Sequence, residues 1–184
     1  MKTIKNNLNK IPRKLNQENI DKAIQDYNEL VKEIPLEIKS DNSLLLLKQL
    51  KREKLGKGPY PEVSIFEAAN RIMSDLLILH GVRDLLNGKV VELKFSEYEV
   101  ELGNENKKDH DIMAINDGIE LIGEAFNVSK SFFYAKKSSA LKKLNNSPRK
   151  KAIRLLLFNE DAKPKGYDLL KGKTEYHYAV EILK

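Results

Sequence analysis

The sequence predicts an α/β protein with a helical amino-terminal region, and three observations carry that prediction. An apolar stripe at three- and four-residue spacing opens at Ser64. A period-two stretch follows between Val90 and Leu102. Two short apolar runs then flank a Gly-containing turn at Asn116-Asp117-Gly118. At 184 residues the chain can bury roughly 70% of its unfolded surface around one core. Hydrophobic residues make up 41%, which argues against wholesale disorder. Cysteine is absent, so disulfides, thiolate zinc sites, iron–sulfur clusters and a cysteine nucleophile are excluded.

Taken in order, residues 17–34 place Ile20, Ala23, Ile24, Tyr27, Leu30, Val31 and Ile34 on one helical face, ended by Pro35. Ser43 to Leu55 reads as a second helix, with Asp41 or Asn42 as its cap. The segment Gly56-Lys57-Gly58-Pro59-Tyr60-Pro61 reads as a hinge that divides a helical region, 1–58, from a main body, 59–184. Ser64 with Glu67 three residues on has the capping-box pattern, and the helix it opens is expected to end near Gly81 or Asn87-Gly88. Val90 to Leu102 reads as one long strand or two shorter ones, with Glu97, Glu99 and Glu101 on the polar face. Asp111 to Ile115 and Ile119 to Phe126 make a hairpin. Residues 130–145 read as a basic helix with Phe133, Ala140, Leu141 and Leu144 inward. Ala152 to Phe158 reads as a buried strand, and Tyr176 to Leu183 as a last one.

Charge is unevenly distributed. Residues 1–58 hold thirteen basic and eight acidic side chains, 59–128 hold six and fourteen, and 129–151 hold eight and none. A basic cluster is the footprint of phosphate-backbone binding, and an acidic segment beside it would repel a backbone unless divalent cations neutralised it. Solvated helix and strand faces would give the same pattern. No apolar run approaches the roughly 20 residues of a membrane span, and the Met1-Lys2-Thr3-Ile4-Lys5 start lacks an apolar region and cleavage site. A soluble, cytoplasmic protein without a membrane partner is expected.

A two-residue turn centred on Asp117 and Gly118 would pair 115 with 120, 113 with 122 and 111 with 124. Asp111 and Glu124 would then face each other on one side of the sheet, with Cβ atoms roughly 4.5–5.5 Å apart. Two like charges so placed destabilise one another, and a hard cation would relieve that. Two solvated carboxylates at a sheet edge are the plainer alternative.

The order helix, strand, Asp, hairpin, Glu, helix, strand resembles the restriction-endonuclease-like superfamily, whose motif is PD…(D/E)xK. The matching segments are His110-Asp111-Ile112-Met113-Ala114 and Ile122-Gly123-Glu124-Ala125-Phe126-Asn127. The resemblance covers about residues 64–160 and implies a central mixed β-sheet flanked by helices. It implies a Mg²⁺-dependent endodeoxyribonuclease, with Mn²⁺ able to substitute, acting on double-stranded DNA as a homodimer of the type II restriction-endonuclease kind. Asp111 and Glu124 would be catalytic metal ligands, and Glu67, on the preceding helix, a further one. Glu67, Arg71 and Asp75 also have the spacing of a surface salt-bridge ladder. Glu101 is a remoter ligand candidate.

His110 replaces the motif proline, and Phe126 stands where the motif has its lysine. The family is known to move that lysine to another element. Lys136, on the helix after Glu124, is the preferred replacement; Lys94, Lys130, Lys137 and Asn127 are the others. Failing these, the protein would be an inactive nucleic-acid binder on the same scaffold. Lys130, Lys137, Lys142, Lys143, Arg149, Lys150 and Lys151 are candidates to hold phosphates, and Phe132 or Tyr134 to stack on a base. His80, His110 and His177 form no metal-ligand motif, and no phosphate loop or GxSxG elbow is present.

Overall fold

The computed structural model describes residues 6–35, 39–90, 93–103 and 108–182. Six strands form one sheet in the order of the chain. They are β1 (Lys14–Asn16), β2 (Glu97–Val100), β3 (Ile112–Asn116), β4 (Ile119–Phe126), β5 (Ile153–Asn159) and β6 (Glu175–Val180). β1 to β4 are antiparallel neighbours, while β4, β5 and β6 run parallel, so the sheet is mixed. The helices are α1 (Ile20–Lys32), α2 (Ser43–Arg52), α3 (Ile65–Leu86) and α4 (Phe133–Asn146). This is the expected α/β architecture, with helices flanking a mixed sheet. No described helix is long and apolar enough to cross a membrane.

Strand alternation assigns the two faces. Leu121, Leu155 and Leu157 belong to the large core under α3, with Ile72, Leu76, Leu79 and Val82. Ile122, Phe126, Leu156 and Phe158 point the other way, into smaller clusters with Phe133 and Leu144 of α4. The two helices therefore cover opposite faces.

The cap of α3 forms by half. Ser64 Oγ accepts from the Glu67 N–H at 3.4 Å, but the Glu67 carboxylate turns to Arg71. The helix continues through Gly81 because the missing side chain leaves room for Leu157 and Val180 of β5 and β6. At α2, Asn42 is the cap, its side chain accepting from the Leu45 N–H.

Three expectations change. The region 1–58 is not purely helical: Leu15 of β1 pairs with Tyr98, extending the sheet. Its Leu8, Ile11, Ile20, Ala23 and Tyr27 lie in the same core as α3. The strand expected over 90–102 is confined to Glu97–Val100; Leu93 and Phe95 are buried without strand pairing, and 91–92 lie outside the described residues. The last strand ends at Val180, short of the expected Leu183, which itself lies outside the described residues.

The hairpin has the expected register. Asn116 pairs with Ile119, Ala114 with Leu121 and Ile112 with Gly123. Asp117 and Gly118 both have positive φ, 48° and 77°, which is the primed turn whose twist suits a two-residue connection.

Candidate metal and phosphate site

Continuing the register one residue past Ile112–Gly123 brings Asp111 opposite Glu124. Both lie on the α4 face, since Ile112 and Gly123 face α3. Asp111 Oδ2 accepts from the Ala125 N–H at 2.8 Å, which ties the carboxylate to the neighbouring strand. On the other side, the Glu101 N–H donates to the Asp111 carbonyl, so Glu101 stands beside it.

Glu124 is 6% exposed and holds two partners. Its Oε1 lies 2.7 Å from Nδ1 of the buried His110, and its Oε2 lies 2.8 Å from Lys143 Nζ. His110 Nε2 is 3.0 Å from Ser147 Oγ, at the end of α4. Burial, and then the Lys143 charge, hold the imidazole below its usual pKa, so at neutral pH it carries one proton. With an ionised Glu124 accepting, Nδ1–H is the donor and Nε2 accepts from the serine hydroxyl.

Burial and then the charge of Glu124 push the Asp111 carboxyl up to about 6, against the pull of the Ala125 N–H. Burial also raises Glu124, with Lys143 opposing. The pair thus carries negative charge that its surroundings only partly balance, and Asp111 Oδ1 makes no hydrogen bond among the described residues. Carboxylate oxygens are the hard donors that Mg²⁺ or Mn²⁺ takes beside water and phosphate oxygens, but both Glu124 oxygens already have partners, and of the pair Asp111 Oδ1 is the open donor. Among the described residues no group of three or more His, Asp or Glu side chains is placed to hold a metal ion, so any cation here would rest on two carboxylates.

The remaining candidates fall elsewhere. Glu67 is ion-paired to Arg71 at 2.8 Å on α3, the helix of the opposite face, and does not join the pair. Phe126 packs against Phe133 and Phe158 with ring centroids 5.8 Å away in each case. Lys136 is exposed and lies two helical turns, about 10 Å, from Lys143. Lys137 sits 4.7 Å over the Tyr167 ring, Arg149 pairs with Glu120, and Lys150 donates to the Asn145 carbonyl. Lys94, Lys130, Lys142 and Lys151 are exposed. Asn127 points away, beside Met73 and Val180.

No family model, curated protein or solved structure matches this chain. The site therefore stands on its own geometry, and three of its members have no site signature in the sequence. His110 was legible only as a departure from the motif. Lys143 was legible only as a phosphate-binding candidate. Ser147 carried no signal, because its role depends on where α4 ends above the sheet.

Proposed function

We propose that this protein is a metal-dependent endodeoxyribonuclease with a restriction-endonuclease-like core. The reading rests above all on Asp111 facing Glu124 across the β3–β4 hairpin, with the Lys143 ammonium 2.8 Å from the Glu124 carboxylate. The sequence of elements from α3 to β5, with β4 and β5 parallel, supports it.

In this reading Asp111 and Glu124 hold Mg²⁺, or Mn²⁺ in its place. When bound, the ion lowers the pKa of a coordinated water and offsets charge on the scissile phosphate. Lys143 takes the part of the motif lysine. Its stem reaches down from α4 to the face that Phe126 leaves apolar, and its ammonium orients the water or a phosphate oxygen. Neutral His110, anchored by Ser147, fixes Glu124 in one rotamer without competing as a cation. The basic run after Ser129 contributes charge for double-stranded DNA. A homodimer would let each copy cut one strand.

The test is cleavage of plasmid and of linear duplex carrying a single-stranded extension, with Mg²⁺ or Mn²⁺ against EDTA. Asp111→Asn and Glu124→Gln are expected to abolish cleavage while DNA binding stays within about threefold, and Lys143→Met to lower the rate at least about a hundredfold. Cleavage by the two carboxylate variants at the wild-type rate defeats the assignment. A second reading, a non-cutting DNA-binding protein, is favoured by the closed Glu124–Lys143 pair and by Phe126. It requires salt-sensitive binding with no cleavage in any divalent metal.

A further inference from the structure

Resting on the nuclease reading, we infer that one flank of α4 is a track for a DNA strand whose bases are unpaired, with Phe132 as the residue that stacks on a base. At 3.6 residues per turn, Phe132, Lys136 and Lys143 fall within about 40° of one another around the helix axis. Phe132 belongs to this stripe because its backbone, at the cap of α4, is already helical. Lys143 is the member that reaches Glu124, so the stripe is the flank turned toward the carboxylate pair. Tyr134 lies about 180° from Lys143, on the other side of the helix.

Phe132 is 62% exposed, although the next residue, Phe133, is fully buried in a cluster of rings. An apolar ring held in water at the end of a row of cations is suited to a partner that is anionic along one edge and aromatic along the other. A nucleic-acid strand has that chemistry. Beside the stripe, α4 leaves the same face of β1 to β3 uncovered. Three of the carboxylates there are already matched: Glu97 with Lys14, Glu99 with Lys108 and Glu120 with Arg149. A phosphate backbone laid along this face therefore meets few unbalanced negative charges apart from the pair that would hold the metal.

The rise along α4 puts Phe132 about 16 Å from Lys143. That is about five nucleotides at the 3.4 Å rise of a stacked strand, and fewer in an extended one. In intact duplex the base faces are hidden within the stack, so a stacking ring at this distance selects DNA that is single-stranded or frayed near the cut. The substrate class is a duplex with an unpaired extension or a splayed junction, with Lys136 as a phosphate contact between ring and metal.

The experiment is fluorescence anisotropy in EDTA with labelled DNA, comparing a blunt duplex with the same duplex carrying a single-stranded extension. Wild type is expected to bind the extended duplex about tenfold more tightly. Phe132→Ala should lose about five- to tenfold on the extended duplex and little on the blunt one, Phe132→Trp should retain binding, and Tyr134→Ala should change it less than about twofold. Lys136→Ala should weaken both and lower the salt slope by about one. Equal binding of the two DNAs by wild type, or a Phe132→Ala variant that binds the extension as wild type does, overturns the track. If no DNA is cut in any metal yet Phe132→Ala still loses the extension, the nuclease reading falls and the track stands. If DNA is cut and Phe132→Ala is silent, the track alone falls.

Discussion

Phe126 decides where a lysine can enter the site. Its ring points to the α4 face two residues beyond Glu124 and packs against both Phe133 and Phe158. A lysine there would bury an ammonium in a cluster of aromatic and aliphatic side chains, which disfavours the charged form. Phe126→Lys is therefore expected to destabilise the fold by about 3 kcal/mol or more, as would Phe126→Ala by leaving a cavity. Combined with Lys143→Met, it should restore no cleavage. Urea denaturation and the cleavage assay check the two halves, and a stable, active double variant would show that the ring is dispensable. The Asp111–Glu124 pairing was legible because a two-residue turn leaves a single register. The partner lysine was not. Periodicity puts Lys136 and Lys143 on one stripe, but only the way α4 lies back across β4 decides which of them overhangs Glu124.

Among the elements, α3 shows how packing overrides propensity. Gly81 stands mid-helix, where alanine would ordinarily be better by about 1 kcal/mol. A Cβ there would collide with Leu157 and sit 3.3 Å from Val180 Cγ2, both fully buried. Gly81→Ala is expected to cost about 1–3 kcal/mol in spite of its helix preference, read as a lower midpoint in urea at unchanged slope. The letters allowed the helix to stop at Gly81. It runs on to Leu86 because the glycine marks a close approach to β5 and not an end. β1 was illegible for a different reason. Three residues are too few for an alternation pattern, and Lys14–Asn16 become a strand only because β2 offers its free edge. The α4 and β5 assignments needed no such context, since a one-sided apolar stripe and an unbroken apolar run each have one economical burial.

At the scale of the whole molecule, Asp75 links distant parts of the chain. Oδ2 accepts from the hydroxyls of Tyr27 on α1, at 2.7 Å, and of Tyr60 in the segment before α3, while Oδ1 accepts from the Gly103 N–H at 3.0 Å. Burial pushes this carboxyl up to about 6 against the pull of those donors. The native state then holds the proton more tightly than the unfolded chain does. Stability should fall as pH rises from about 4 through 6 and level off above, a contribution of about 3 kcal/mol from this one group. Asp75→Asn should remove that part of the slope, so the stability difference between variant and wild type should change across this window. Urea midpoints measured at several pH values check it, and parallel pH profiles would refute it.

The tyrosine supplied by α1 to this carboxylate has a practical corollary for anyone trimming the protein. Expressed alone, residues 59–184 would lack one of the three donors, the β1 cover of β2 and the apolar wall made by Leu15, Ile20 and Ala23. That fragment is expected to come out aggregated, whereas brief protease treatment of the intact chain should leave the first α1 turns attached.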